Sequence, residues 1–149
     1  MTPEEAKAEI QDIFESTREL LGGSWTTYSR NWLECSDPEA EPMAQYSMMY
    51  RRVEQPSPGD PADVAEQLRK LWKAHGHDVE VLFDSAVAPS RYILSDPPWM
   101  SGSSRDLPLI QFTISDNFAT FSGTSRCVPG DEGELGMWEP KRGEGQYDE

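Results

Sequence analysis

His75 and His77 are the two histidines of the chain, separated only by Gly76. A His-x-His pair supplies imidazole nitrogens of the kind that ligate zinc, but a metal site needs further donors at a defined spacing. Asp78 and Asp84 follow without a spacing that joins them to the pair, so no metal site is expected. Cys35 and Cys127 are the only two cysteines. They form no Cys-x-x-Cys, which removes the common zinc and thioredoxin-type patterns. Each ends an apolar, strand-like run beside a turn signal, in Trp32-Leu33-Glu34-Cys35-Ser36-Asp37-Pro38 and in Ser125-Arg126-Cys127-Val128-Pro129-Gly130. That placement suits one long-range disulfide in an oxidising compartment, or two unpaired thiols in a reducing one.

The remaining reactive side chains form no catalytic pattern. Phe121-Ser122-Gly123-Thr124-Ser125 sets a serine beside a glycine, but a nucleophile elbow requires Gly-x-Ser-x-Gly between a strand and a helix. Glu34, Asp37, Glu39 and Glu41 crowd one segment without the twelve-residue spacing and central glycine of a calcium loop. A solvated acidic loop is the simpler reading. Neither common phosphate-binding glycine loop occurs. With no acid, base or nucleophile in a recognisable constellation, neither an enzyme nor a cofactor is expected.

Binding is better served. Ser95-Asp96-Pro97-Pro98-Trp99-Met100-Ser101-Gly102 presents a tryptophan and a methionine from a loop bounded by proline and glycine. Tryptophan is enriched among interface anchors. The competing reading is a tryptophan folded back over the edge of a sheet. The candidate partner-binding residues are therefore Glu34, Asp37, Glu39, Glu41, Trp99 and Met100, while Met43, Met48 and Met49 are assigned to the core.

These residues need elements to position them. Residues 2–21 read as a helix, capped by Thr2 with Pro3 in the first turn and Glu5 completing a capping box. Ala6, Ile10, Ile13, Phe14, Thr17 and Leu21 share one face, and Gly22-Gly23 ends the helix. Residues 24–34 and 43–54 read as strands. The second has imperfect alternation, so it is either buried on both faces or bulged. A second helix starts at Asp60-Pro61, carries Val64, Leu68, Leu71 and Trp72 as a stripe, and stops at Gly76. Strand-like runs follow at 78–84, 90–95, 107–115 and 118–126, the last two joined by Asp116-Asn117. The order α-β-β-α-β-β-β-β predicts an α+β fold, with a mostly antiparallel sheet of five to six strands and both helices on one face. A single domain is expected over residues 1–130. Residues 131–149 are acidic and glycine-rich, with Met137 and Trp138 their only large apolar cluster, and read as a mobile tail.

The bulk numbers set outer bounds. The chain has 149 residues, a net charge of −14 and 36% hydrophobic residues, enough for one packed core. So negative a surface repels duplexes and anionic membranes, so nucleic acid is not an expected partner. No run is long enough to span a membrane. The opening MTPEEAKAEI lacks the apolar stretch of a signal peptide. The chain is then either cytosolic or a mature region whose leader has been removed.

The chain resembles a group of small actinobacterial lipoproteins and secreted proteins. The residues that carry the likeness are the acidic first helix, the strand from Trp25 to Cys35, the helix DPADVAEQLRKLWKAHG and the final FSGTSRCVPGD. The resemblance implies a cell-envelope location and a Cys35–Cys127 bridge, and it supplies no catalytic residues. It favours a non-enzymatic binding protein of the envelope, lipid-anchored if a leader was removed. The acidic charge supports a second reading, an immunity or inhibitor protein that neutralises a basic toxin or enzyme. In both the partner is a protein, basic in the second.

Overall fold

The structure, a computed structural model, describes residues 1–36, 40–53, 58–101, 105–131, 135 and 146–147. Helix α1 spans Pro3–Leu21 and helix α2 Pro61–Ala74. The strands are β1 (Trp25–Glu34), β2 (Met43–Arg52), β3 (Val81–Asp84), β4 (Arg91–Asp96), β5 (Leu109–Ile114), β6 (Ala119–Thr124) and the two-residue β7 (Val128–Pro129) and β8 (Gln146–Tyr147). They form one antiparallel sheet in the order β3-β4-β5-β6-β2-β1-β8, with β7 also on β2. The expected α+β class holds, and the two short strands extend the six anticipated from the sequence.

Both helices begin as their sequences dictate. The Thr2 hydroxyl accepts from the Glu5 N–H while the Glu5 carboxylate accepts from the Thr2 N–H, which satisfies two otherwise orphaned donors. Asp60 accepts from the Ala62 N–H and Pro61 takes the first helical position. The six apolar-face residues expected of α1 are all buried. Gly22, at φ 66°, ends the helix in a conformation that favours glycine.

The sheet buries one face. On β2, Ala44, Tyr46, Met48 and Tyr50 are buried in strict alternation, followed across the register by Phe121 and Gly123 of β6 and by Ile110, Phe112 and Ile114 of β5. β2 is thus neither buried on both faces nor bulged, since Met49 on the opposite face is 39% exposed. The irregularity lies in β1, between Thr27 and Ser29.

Phe14 brings α1 onto this face, its ring 4.4 Å from that of Tyr50, 5.1 Å from Phe121 and 5.7 Å from Trp25. Trp72 brings α2 onto the same Phe121 at 6.4 Å. The Trp72 indole N–H donates to the Thr17 hydroxyl at 3.0 Å, and that hydroxyl donates to the Ile13 carbonyl at 2.8 Å. The polar atoms at this helix contact are therefore satisfied without water. α1 comes close to the sheet at Gly123, for a Cβ there would run into Ile10.

Cys35 and Cys127 are bonded, with Cα atoms 6.1 Å apart across a separation of 92 residues. The bridge ties the end of β1 to the segment between β6 and β7. Beyond it, Leu135 packs against the core and β8 pairs with β1 at Trp25 and Thr26. Met137 and Trp138 lie outside the described residues.

Two measurements check this arrangement. Gly123→Ala should cost about 1–3 kcal/mol through overpacking. Combined with Ile10→Ala it should cost less than the sum of the two single changes, in a thermal-denaturation cycle. Protein purified without reductant should show no alkylatable thiol by intact mass, and replacing both cysteines by Ala should lower stability by roughly 2–4 kcal/mol.

Candidate functional site

With both helices on one face, the other face of the sheet has no helix over it. Its middle strands present Ser47, Thr120, Ser122, Gln111 and Thr113 by register. Met49, assigned to the core from the sequence, lies on this face and is exposed instead, as is Leu33. The β3–β4 edge is different. Ile93 of β4 points away from the helices yet is only 1% exposed. What covers it is the loop that follows β4. Trp99 returns across the strand and, with Leu82 and Ile93, encloses a cleft of about 470 Å³. Asp78, Glu80 and Asp96 line the same cleft. Its apolar floor and single-sign polar groups suit a ligand that has both an apolar stem and a positive charge.

The loop is held at several points. The Arg91 guanidinium lies 5.6 Å from the centre of the Trp99 ring without lining the cleft. Arg91 is itself fixed, donating from Nε to Asp84 Oδ2 at 2.9 Å. That bond, with the Ala86 N–H, holds the Asp84 carboxyl below the usual carboxylate range. His77 Nδ1 and Asp96 Oδ2 are 2.9 Å apart. A carboxylate only accepts, so Nδ1 carries the proton. His77 also donates its backbone N–H to the Trp72 carbonyl at 2.9 Å, so the pair ties the start of the loop to the end of α2. The Ser95 hydroxyl is engaged too, donating to the Pro97 carbonyl and accepting from Gln111 Nε2.

The candidates chosen from the sequence separate into two places. Trp99 is a wall of the cleft, while Met100, 84% exposed at φ 70°, stands outside it. Glu34 and Glu41 are exposed around the opposite strands, where Glu34 borders a shallow cleft with Pro42, Met43, Gly130 and Asp131. Asp37 and Glu39 lie outside the described residues. The β4 and β1 strands are four spacings apart, roughly 19 Å, so Trp99 and Glu34 do not share one small site. The first helix does approach the acidic segment. The Gly130 N–H donates to the Pro42 carbonyl at 3.1 Å, and a Cβ at Gly130 would lie 3.6 Å from Pro3.

Reading the sequence did not identify Asp78, Glu80, Leu82 or Asp96 as cleft residues, nor the His77–Asp96 pair. The available signal was the alternation of Asp78, Glu80 and Leu82, which assigns all three to one side of an extended segment. His75 serves as the C-cap of α2. Among the described residues no group of three or more His, Cys, Asp or Glu side chains is arranged to hold a metal, and no helix is long and apolar enough to cross a membrane.

No family model and no curated protein matches the chain. Among solved structures it is similar to a DUF4853 family protein from the actinobacterium Actinomyces odontolyticus. The TM-score is 0.47 at 14% identity, covering 90% of this chain and 76% of that one.

The His77–Asp96 contact has a direct test. His77→Ala should leave the fold intact and lower stability by about 1 kcal/mol, the ordinary worth of one hydrogen bond. Amide exchange over residues 96–101 should quicken if the loop is held from α2.

Proposed function

We propose that the protein is a non-enzymatic binding module of the bacterial cell envelope, and that it binds through the Trp99 cleft. The observation that carries this reading is the return of Trp99 across the outer face, which makes a concave, apolar-floored cleft rimmed by Asp78, Glu80 and Asp96. Such a cleft takes a cationic group by charge while Trp99, Leu82 and Ile93 cover its apolar stem. The Cys35–Cys127 bond supports the location, because disulfides persist in oxidising compartments.

A second reading, an acidic inhibitor of a basic toxin or enzyme, is favoured by the approach of Pro3 to the Gly130–Pro42 segment. That approach gathers Glu4, Glu5, Glu34 and Glu41 at one end of the domain. Their field would speed the encounter with a basic partner and fade with salt.

Affinity capture from an actinobacterial envelope fraction separates the two. Trp99→Ala with Leu82→Ser should abolish capture, while Glu34→Lys with Glu41→Lys should leave it intact at moderate salt. The reverse pattern would favour the inhibitor. Capture unaffected by either pair would sink both readings.

A further inference from the structure

The outer cleft has a counterpart on the other side of the same strand. Phe83 follows Leu82 and points the opposite way. It is 53% exposed and lines a second cleft of about 420 Å³ with Tyr92, Asp60 and Asp116. β3 also ends the sheet, and among the described residues nothing pairs with its outer edge. That edge offers backbone N–H and C=O groups to a further strand. A strand laid beside it would place its own alternate side chains first towards one cleft and then towards the other.

We propose that the protein recognises its partner by strand addition at β3, and that the added segment is extended and basic. The proposal rests on the binding reading above and adds the geometry and chemistry of the occupant. Main-chain hydrogen bonds would supply affinity, and the flanking clefts would supply side-chain specificity.

Charge selects among occupants. The outer cleft carries Asp78, Glu80 and Asp96, and the inner one Asp60 and Asp116. A second copy of the chain pairing through β3 would bring two acidic edges together, and like charges across a strand pair destabilise it. A segment with Lys or Arg beside Asp78 and Glu80 makes opposite-charge pairs instead. The residues beside Leu82 and Phe83, both largely exposed, are then apolar. The occupant therefore alternates basic and apolar residues and turns wholly apolar where it passes Leu82 and Phe83.

The probe is a labelled synthetic peptide, Lys-Val-Lys-Val-Leu-Val-Lys with blocked ends, titrated against the full chain. Its comparison is the same peptide N-methylated at every interior residue, which keeps the charge and side chains but loses the strand donors. The unmethylated peptide should bind saturably, with protection of the amides of residues 81–84 in hydrogen exchange. N-methylation should weaken binding by roughly tenfold or more, the loss of one or two net backbone hydrogen bonds. Glu80→Lys should weaken it by about tenfold. Glu19→Lys, the same change in net charge on the exposed side of α1, should change it by less than about twofold, because salt screens distant charges.

If both peptides bind equally and Glu80→Lys still weakens them, strand addition is overturned and the cleft reading survives. If Glu80→Lys and Glu19→Lys weaken binding equally, attraction is only general charge, and both ideas fall. Absence of binding by the unmethylated peptide overturns the proposal. Glu80 is exposed, so its variant should fold, which circular dichroism confirms.

Discussion

Phe121 holds the structure together, because both helices converge on it. Phe14 reaches it from α1 and Trp72 from α2, and the Trp72–Thr17 hydrogen bond locks the helices to each other above it. Aromatic side chains bury large areas, so this cluster supplies much of the apolar burial in a modest core. The geometry is tight enough that the strand beneath must carry Gly123 under Ile10. Once both helices occupy one face, the opposite face has no helix left to cover it. Its central strands carry mostly polar residues there, and an apolar side chain on that face stays exposed, as Met49 does, unless something else covers it.

Ile93 is such a residue, and the Trp99 loop is its cover. The loop is at once a structural lid and the wall of a cleft. Fixing it takes an aromatic–guanidinium contact, the Arg91–Asp84 pair and the His77–Asp96 contact. This much local support holds a tryptophan in place without help from a ligand. A binding element set in advance loses less entropy when its partner arrives. The loop thus folds Trp99 back over a sheet edge, as one of the two sequence readings had it, and makes it the wall of a cleft.

The two sheet edges differ. At one end β8 lies on β1. At the other, β3 is only four residues long, and its neighbours on the outer side are acidic. Short, charged edge strands are a common way of discouraging uncontrolled pairing. Clefts on both sides of such a strand change its meaning, because they offer places for a partner's side chains as well as for its backbone.

Periodicity, caps and turn residues are local, and the sequence alone determined whatever depends on them. Thr2, Glu5, Asp60 and Pro61 start the helices through bonds made within a few residues, and Gly22 stops the first for a backbone reason. The alternation of Ile110, Phe112 and Ile114 selects a buried sheet face by the pleat itself. The pairing of Cys35 with Cys127 was legible because each ends a strand-like run, and the resemblance to secreted proteins pointed the same way. The tertiary structure decided which strand would be the edge, because strand order depends on contacts between segments far apart in the chain. It also decided that Trp99 would line one cleft with Asp78, Glu80 and Leu82, that His77 would meet Asp96, and that the loop of Trp99 would follow a strand four places from the one that ends in Glu34. Those relations depend on the summed packing of α1 and α2 over Phe121, which no local run of residues encodes.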